Sequence, residues 1–339
     1  MSDVTPPMPR TAWTGGSSLA RAPHGGSAPA CANDFALADV IIAYDIAGRR
    51  LARIVLPLWR RSLTLAEAMA GDCPTLPQLV ASAQGYKLRA LPEQHAAELL
   101  ADNRYLPLLR QRYERSFVDL HAGFEPWLAG LSSNTRQTLR RKQRKLAQLC
   151  GGAVNVRVYR TPEEMAEFFP HARAISAASY QERLLASGLP ESSLPVMLEL
   201  AEHDLVRGFL LWIDGRPAAY LYAPAQGDTL LYAYLGYDEA QAAHSPGSVL
   251  QLEALRLLME ERRFRWFDFA EGGGQHKQCF ASGTIPSVDL LLLRPTMRNR
   301  LILWSLAAFD RTVGIGREAV QRLGLRGWRR FIRGRAGAA

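Results

Sequence analysis

"HSPGSVLQLEALRLLMEE", residues 244–261, decides how this chain is read, because a loop breaks there abruptly into an amphipathic helix. Ser245, Pro246 and Gly247 open it, and Val249, Leu250, Leu252, Leu255, Leu258 and Met259 follow with helical apolar spacing. A helix start favours a nearby negative charge, yet no acidic residue stands in this first turn. Two readings are open. In one, Ser245 caps the helix, Pro246 fixes φ, and nothing binds. In the other the charge arrives from outside, on backbone N–H groups that have no partners inside the helix. Gly247 then has no side chain to hold a pyrophosphate away from that backbone.

Outward from the helix the order of elements becomes legible. Three strands precede it, "LVRGFLLWI", "RPAAYLYAP" and "TLLYAYLGY", the first two joined by the hairpin signal "DGR" at 214–216. "FRWFDFA" (264–270) and "VDLLLLR" (288–294) supply strands after it. Further upstream, "AVNVRVYR" is a strand, and "TPEEMAEFFPHARAIS" is a helix with Thr161 as cap and Pro162 in its first turn. A helix is expected near Leu194–Glu202. "FEPWLAGL" and "SSNTRQTLRRKQRKLAQL" read as helices, the second capped by Ser132 or Ser133. Residues 34–125 contain "FALADVIIAYDI" and "RLARIVLPL" around Gly48, the strands "GYKLRAL" and "RSFVDL", and short helices over 63–69 and 92–101. The whole is a mixed, mostly antiparallel sheet flanked by helices, an α/β (α+β) fold. Residues 1–33, rich in Pro, Gly, Ser and Ala, are expected to be disordered.

At 339 residues and 48% hydrophobic content the chain can bury one large core or two smaller ones. Its formal charge of +9 is concentrated at one end. From Arg294 to Arg335 eleven arginines face only Asp310 and Glu318, so the rest of the chain balances. Charge confined to a tail argues less for nucleic acid than an overall basic protein would, and fits an acidic membrane surface, an acidic partner or ordinary solubility equally. The four cysteines, Cys31, Cys73, Cys150 and Cys279, lie far apart without metal-ligand spacing, as expected of reduced thiols in a cytoplasmic protein. The first thirty residues lack the apolar core of a secretion signal. "LILWSLAAF" (301–309) is too short to span a bilayer. No Walker loop, HExxH, CxxC or G-x-S-x-G motif is present.

Three further groups carry candidate chemistry. "FDFAEGGGQHKQCFA" (267–281) gathers Asp268, Glu271, His276 and Lys277 around three glycines after a strand. A carboxylate there is placed to take a proton from an attacking amine, and Lys277 to meet a phosphate or orient a carboxylate. A solvated glycine loop is the competing reading. Tyr220, Tyr222, Tyr232, Tyr234 and Tyr237 form a series in which 220 and 222 share a strand face, as do 232 and 234. A phenol facing a cleft could protonate a thiolate, although β-forming tyrosines with a wet hydroxyl have the same pattern. The helix at 134–145, with Arg136, Arg140, Arg141, Lys142, Arg144 and Lys145, offers an anion surface or an ordinary solvated face.

The order "FEPWLAGLSSNTRQTLRRKQRKL", strand and helix, "LVRGFLLWIDGRPAAYLYA", "LYAYLGYDEAQAAHSPGSVLQLEAL" and "FRWFDFAEGGGQHKQCFA" resembles the GNAT-fold acetyltransferases associated with cellulose and other exopolysaccharide biosynthesis, the CelD-like group. These are similar to the Fem-type transferases that add amino acids to cell-wall peptides. The resemblance covers roughly residues 115–295 and rests on the ordered series. It implies an acyl-CoA co-substrate and no metal, with the pyrophosphate at Ser245, Pro246, Gly247, Ser248 and Val249. Tyr237 and Asp238 match the family's strand-end pair, and Lys277 its late-loop lysine. His276 stands where the family usually has a tyrosine.

The expectation that follows is an acyl-CoA-dependent N-acyltransferase in which an amine attacks the thioester directly. Glu271, then Asp268, would accept the proton, and Tyr234 would act as acid. The acceptor would be an amine of a cell-envelope or polysaccharide-related molecule. Alternatives are Fem-like transfer from charged tRNA, or a GNAT-shaped scaffold without turnover. Expected units are a possible degenerate GNAT-like half at 34–125, a GNAT domain at 126–295, and a basic amphipathic helical tail at 296–339. The tail pattern Val320, Leu323, Trp328, Phe331 and Ile332 could lie on an anionic membrane or pack on the domain. The location expected is cytoplasmic, with peripheral attachment at the inner membrane face as an option.

Overall fold

The computed structural model describes residues 35–46, 49–178, 188–270 and 275–322. The disorder expected over 1–33 therefore falls outside the described residues, as do Glu271 and residues 323–339.

The described residues begin with two long strands, β1 (Ala36–Ile46) and β2 (Arg49–Ser62), followed by α1 (Leu65–Ala70), which Thr64 and Glu67 open with a capping box. Next come β3 (Gly85–Pro92), α2 (Ala96–Ala101) and β4 (Leu106–Asp119). β4 is much longer than the expected 115–120. Two helices lead onward, α3 (Phe124–Gly130) and α4 (Ser133–Leu149), with Ser132 accepting the Thr135 amide as N-cap. The second half runs β5 (Asn155–Tyr159), α5 (Pro162–Ala178), α6 (Leu194–Glu202), β6 (Val206–Ile213), β7 (Arg216–Gln226), β8 (Thr229–Leu231) and β9 (Tyr234–Tyr237). It continues through α7 (Pro246–Glu261), β10 (Trp266–Asp268) and the single turn α8 (Gln275–Gln278). β11 (Gly283–Leu293) and α9 (Met297–Arg322) close the order.

The eleven strands among the described residues join one sheet in the order β1-β2-β3-β11-β4-β10-β8-β7-β6-β5, with β9 pairing β7 off that path. Two pairings are parallel, β2 with β3 and β10 with β8; the others are antiparallel. This is the mixed, mostly antiparallel sheet flanked by helices that the sequence led us to expect. The late strand β11 lies between β3 and β4, so its hydrogen bonds go to the N-terminal strands. Strand pairing thus crosses the expected boundary near residue 125. The N-terminal region carries only the short α1 and α2 between its strands, with no counterpart among the described residues of the sixteen-residue α7.

α7 packs into the middle of one sheet face, where Val249, Leu250, Leu252, Leu255, Leu258 and Met259 meet Phe209, Leu211, Leu221, Phe267 and Phe269. α5 and α6 cover the opposite face through Phe168, Met165 and Met197 against Leu210, Tyr220 and Tyr222. Gly208 fits beneath the Phe168 ring, which an added Cβ would meet at 3.0 Å. Arg207, fully buried, ties the C-terminal end of α7 to β6 through Glu261 at 2.5 Å, and also pairs with Asp204 at 2.7 Å. At the N-terminal end of the sheet, α9 lies over Val40, Ile42, Leu56, Leu58, Leu291 and Leu293.

Candidate active site

The segment read from sequence as one strand, "TLLYAYLGY", is two. β8 runs beside β10 in parallel over Thr229–Leu231, and the Tyr232 N–H still reaches the Asp268 carbonyl at 2.8 Å. Beyond that bond the neighbours part. β9 stays with β7, while the Phe269 N–H turns to Ser116 of β4 at 3.0 Å. Pairing between the two parallel strands therefore stops at their C-terminal ends, which leaves a notch in the hydrogen-bond ladder there.

The break moves the tyrosines. Tyr232 sits on the α7 face against Phe267 and Phe269, whereas Tyr234 sits on the α5–α6 face, its ring 6.3 Å from that of Tyr222. The expectation that 232 and 234 share a face is corrected: strict alternation fails where the chain leaves one partner strand for another. Burial pushes the Tyr222 and Tyr232 phenols well above the ordinary tyrosine range.

β10 ends at Asp268, and no strand partner meets the Phe269 carbonyl among the described residues. Lys277 supplies one, its Nζ donating to that oxygen at 2.7 Å while lying 5.5 Å from the centre of the Tyr232 ring. Lys277 thus stands at the notch with its ammonium engaged. Asp268 is fully buried, and Arg115 of β4 grips it, Nη2 to Oδ2 at 2.6 Å and Nε to Oδ2 at 3.1 Å. Its Oδ1 accepts the Ala270 N–H at 2.8 Å, and Arg115 also donates to the Leu63 carbonyl. Ala270 itself has φ of +54°, which turns the chain sharply after β10.

β9 leads through the 3₁₀ turn Glu239–His244 to α7, and Asp238 caps that turn by accepting the Ala240 N–H at 3.0 Å. Ser245 is the residue before the helix, in the left-handed region at φ +54°, and no side chain caps α7. This departs from the reading in which Ser245 caps the helix: a left-handed residue turns its side chain out of capping position. The Ser248 and Val249 amides return to the Ser245 carbonyl, and Pro246 has no N–H. Among the described residues no partner meets the Gly247 amide. Gly247 is small for a second reason, since an added Cβ would lie 3.1 Å from Leu235 and 3.3 Å from Tyr237. Tyr237 is exposed at the strand end.

α4 brings the cation. Lys142 Nζ lies 3.4 Å from Ser248 Oγ, and one residue on, Gln143 donates to Glu253 of α7 at 2.5 Å. Burial, and then the neighbouring Arg141, pull the Lys142 ammonium below the ordinary lysine range, with Cys279 acting weakly the other way. A cation disfavoured by its surroundings, beside an uncapped helix start, is matched to an anion. Sequence reading saw Lys142 only as one of six charges on a basic helix; its half-buried position is a tertiary fact. His244, just before the turn, also went unremarked, and its Nδ1 is buried without a hydrogen-bond partner among the described residues. Those residues include no group of three or more His, Cys, Asp or Glu side chains placed to hold a metal ion.

Residues 133–278 match the acetyltransferase (GNAT) domain family. No curated protein matches the chain. Among solved structures, FemX is similar over 79% of this chain and 90% of its own, at 11% identity and a TM-score of 0.48. A GCN5-related N-acetyltransferase from Kribbella flavida covers 62% of this chain and 69% of its own, at 16% and 0.34. A tandem GNAT protein from the clavulanic acid biosynthesis pathway covers 62% and 63%, at 15% and 0.35. Likenesses this loose fix nothing about chemistry. The match to the acetyltransferase (GNAT) domain family, over residues 133–278 and so less than half of the chain, spans α4 to α8 and takes in the notch, the uncapped helix start and Lys142.

Proposed function

We propose that the protein is an acyl-CoA-dependent N-acyltransferase of the CelD-like kind, acting on an amine of a cell-envelope or polysaccharide-related acceptor. The observation that carries this reading is the uncapped, carboxylate-free start of α7 with the Lys142 ammonium against Ser248. The pyrophosphate would meet the Gly247 amide, the helix dipole and Lys142, which suits a doubly charged anion. The thioester would lie along the notch between β9 and the end of β10.

In the reaction, the acceptor nitrogen forms a bond to the thioester carbon, the carbon–sulfur bond breaks, and coenzyme A leaves as the thiolate. The amine proton passes to a carboxylate, and the thiolate gains a proton from an acid. Glu271, outside the described residues, is the proposed acceptor on its place in sequence just past β10. Asp268 ranks lower than the sequence suggested, because Arg115 and the Ala270 amide already occupy its oxygens. Tyr234 is the proposed acid, and Lys277 holds the Phe269 carbonyl and so the shape of the notch.

A thiol-release assay with acetyl-CoA and a panel of amino sugars and amino acids tests the proposal. Acceptor-dependent release, with kcat lowered about 100-fold in Glu271→Gln, is expected. No release with any amine, from a protein that binds acetyl-CoA, would defeat the catalytic reading. A Fem-like reading has one observation of its own, the exposed Arg140, Arg141, Arg144 and Lys145 on α4 beside the same helix start. It requires charged tRNA to bind with a steep salt dependence.

A further inference from the structure

α9 is apolar on two faces. Ile302 and Leu306 are buried against the β1–β2 end of the sheet, where Tyr44 Oη and Ser305 Oγ share a hydrogen bond of 2.6 Å and Tyr44 meets Phe309 edge-on. That packing accounts for one side of the helix. On the other side Met297, Leu301 and Trp304 stand 73%, 64% and 73% exposed. Their spacing of four and then three residues puts them on one stripe. Arg298 and Arg300, both exposed, flank the stripe, and Arg311 follows two turns on. No described carboxylate pairs with any of these three arginines. Two large apolar side chains and a tryptophan left in water are a cost that ordinary surface helices avoid.

From this face we infer that the protein docks peripherally on an anionic lipid bilayer, with α9 lying in the plane of the headgroups. The apolar stripe is the right width to enter the acyl boundary, and indole is the side chain best suited to that depth. The flanking guanidinium groups would reach up to lipid phosphates from either side. Charge decides against a second copy of this chain as occupant. Eleven arginines against two acids between residues 294 and 335 would set two like-charged surfaces together. No helix among the described residues is long and apolar enough to cross a membrane, so the contact is with the surface. This inference names Met297, Leu301 and Trp304, where the sequence pattern pointed to Val320, Leu323, Trp328, Phe331 and Ile332. Val320's side chain and residues 323–339 lie outside the described residues. It does not depend on the acyl-CoA reading.

Sedimentation of the full chain with phosphatidylcholine vesicles, and with vesicles that also carry phosphatidylglycerol, tests it. Binding is expected to the second kind alone and to weaken as salt is raised. Substituting Met297→Ser, Leu301→Ser and Trp304→Ser together should lower the partition coefficient about tenfold or more, because the stripe supplies the inserted area. All three residues are exposed, so the melting temperature should hold, and that measurement guards against unfolding. Trp304→Phe should keep most of the binding but remove the vesicle-induced blue shift in emission. Three results would overturn the inference. One is equal binding to both kinds of vesicle or to neither. Another is unchanged binding by the triple variant, with binding abolished instead by removal of 323–339. The last is a dimer in solution that the triple variant dissociates, which would assign the stripe to a second copy.

Discussion

At the scale of single residues, two acidic and basic groups change their meaning once their neighbours are known. Asp268, from sequence a candidate base at a strand end, is half of a buried ion pair joining β10 to β4. Removing its charge takes from the buried Arg115 the carboxylate it grips, so Asp268→Asn should cost about 3–5 kcal/mol in denaturant unfolding. Retained stability with lost turnover would instead restore Asp268 to the chemistry. Lys142 runs the other way. Its ammonium is disfavoured by burial, so it costs stability at all pH values below its lowered pKa. The cost is relieved as pH rises from that value toward the ordinary lysine value, since the unfolded chain then binds the extra proton. Lys142→Met should therefore melt at the same temperature as wild type or higher at neutral pH, and the difference should shrink at alkaline pH. Residue identity and spacing gave Asp268 and Lys277 as candidates. They could not show that each is already held, because Arg115 lies 153 positions from Asp268 in the chain.

At the scale of elements, β9 and α7 form the unit on which the site depends. Gly236 packs beneath Tyr220, and a Cβ there would come within 2.4 Å of the ring. That contact is with a buried aromatic on a central strand, so Gly236→Ala should destabilise by about 1–3 kcal/mol in chemical denaturation. A neutral result would mean that β9 moves freely against β7. Gly247 shows why a glycine in this turn is an ambiguous sign. The sequence reading gave it to ligand approach, and the fold gives it equally to the contact with Leu235 and Tyr237. Gly247→Asp would disturb both, which makes Lys142 the cleaner site to alter. α7 itself was legible to within two residues, since periodicity and the Ser-Pro-Gly start mark it on their own. The break between β8 and β9 was not, because "TLLYAYLGY" is uniformly strand-forming and the interruption is set by β10 and β7 on either side.

At the scale of the whole molecule, the continuous sheet makes the two halves interdependent. The mixed sheet with helices on its faces was readable from the order of apolar segments. The position of β11 was not, since "VDLLLLR" is an apolar run that any strand pair could accept, and only the assembled fold puts it between β3 and β4. A fragment of residues 126–295 would leave β11 without both partners, and should be recovered aggregated or without a cooperative melt. A folded, monomeric fragment would show that the late strand can re-pair. The proposed site is likewise assembled from several elements, its helix start coming from α7, its cation from α4 and its notch from β8, β9 and β10. Calorimetric titration with acetyl-CoA, on wild type and on Lys142→Met side by side, tests that assembly most directly. Saturable binding to the wild type is expected, weakened about tenfold or more in a variant that melts no lower, and falling off as pH rises at a lower pH than an ordinary lysine would impose. No heat of binding to the wild type, or equal affinity in the two proteins, would contradict it.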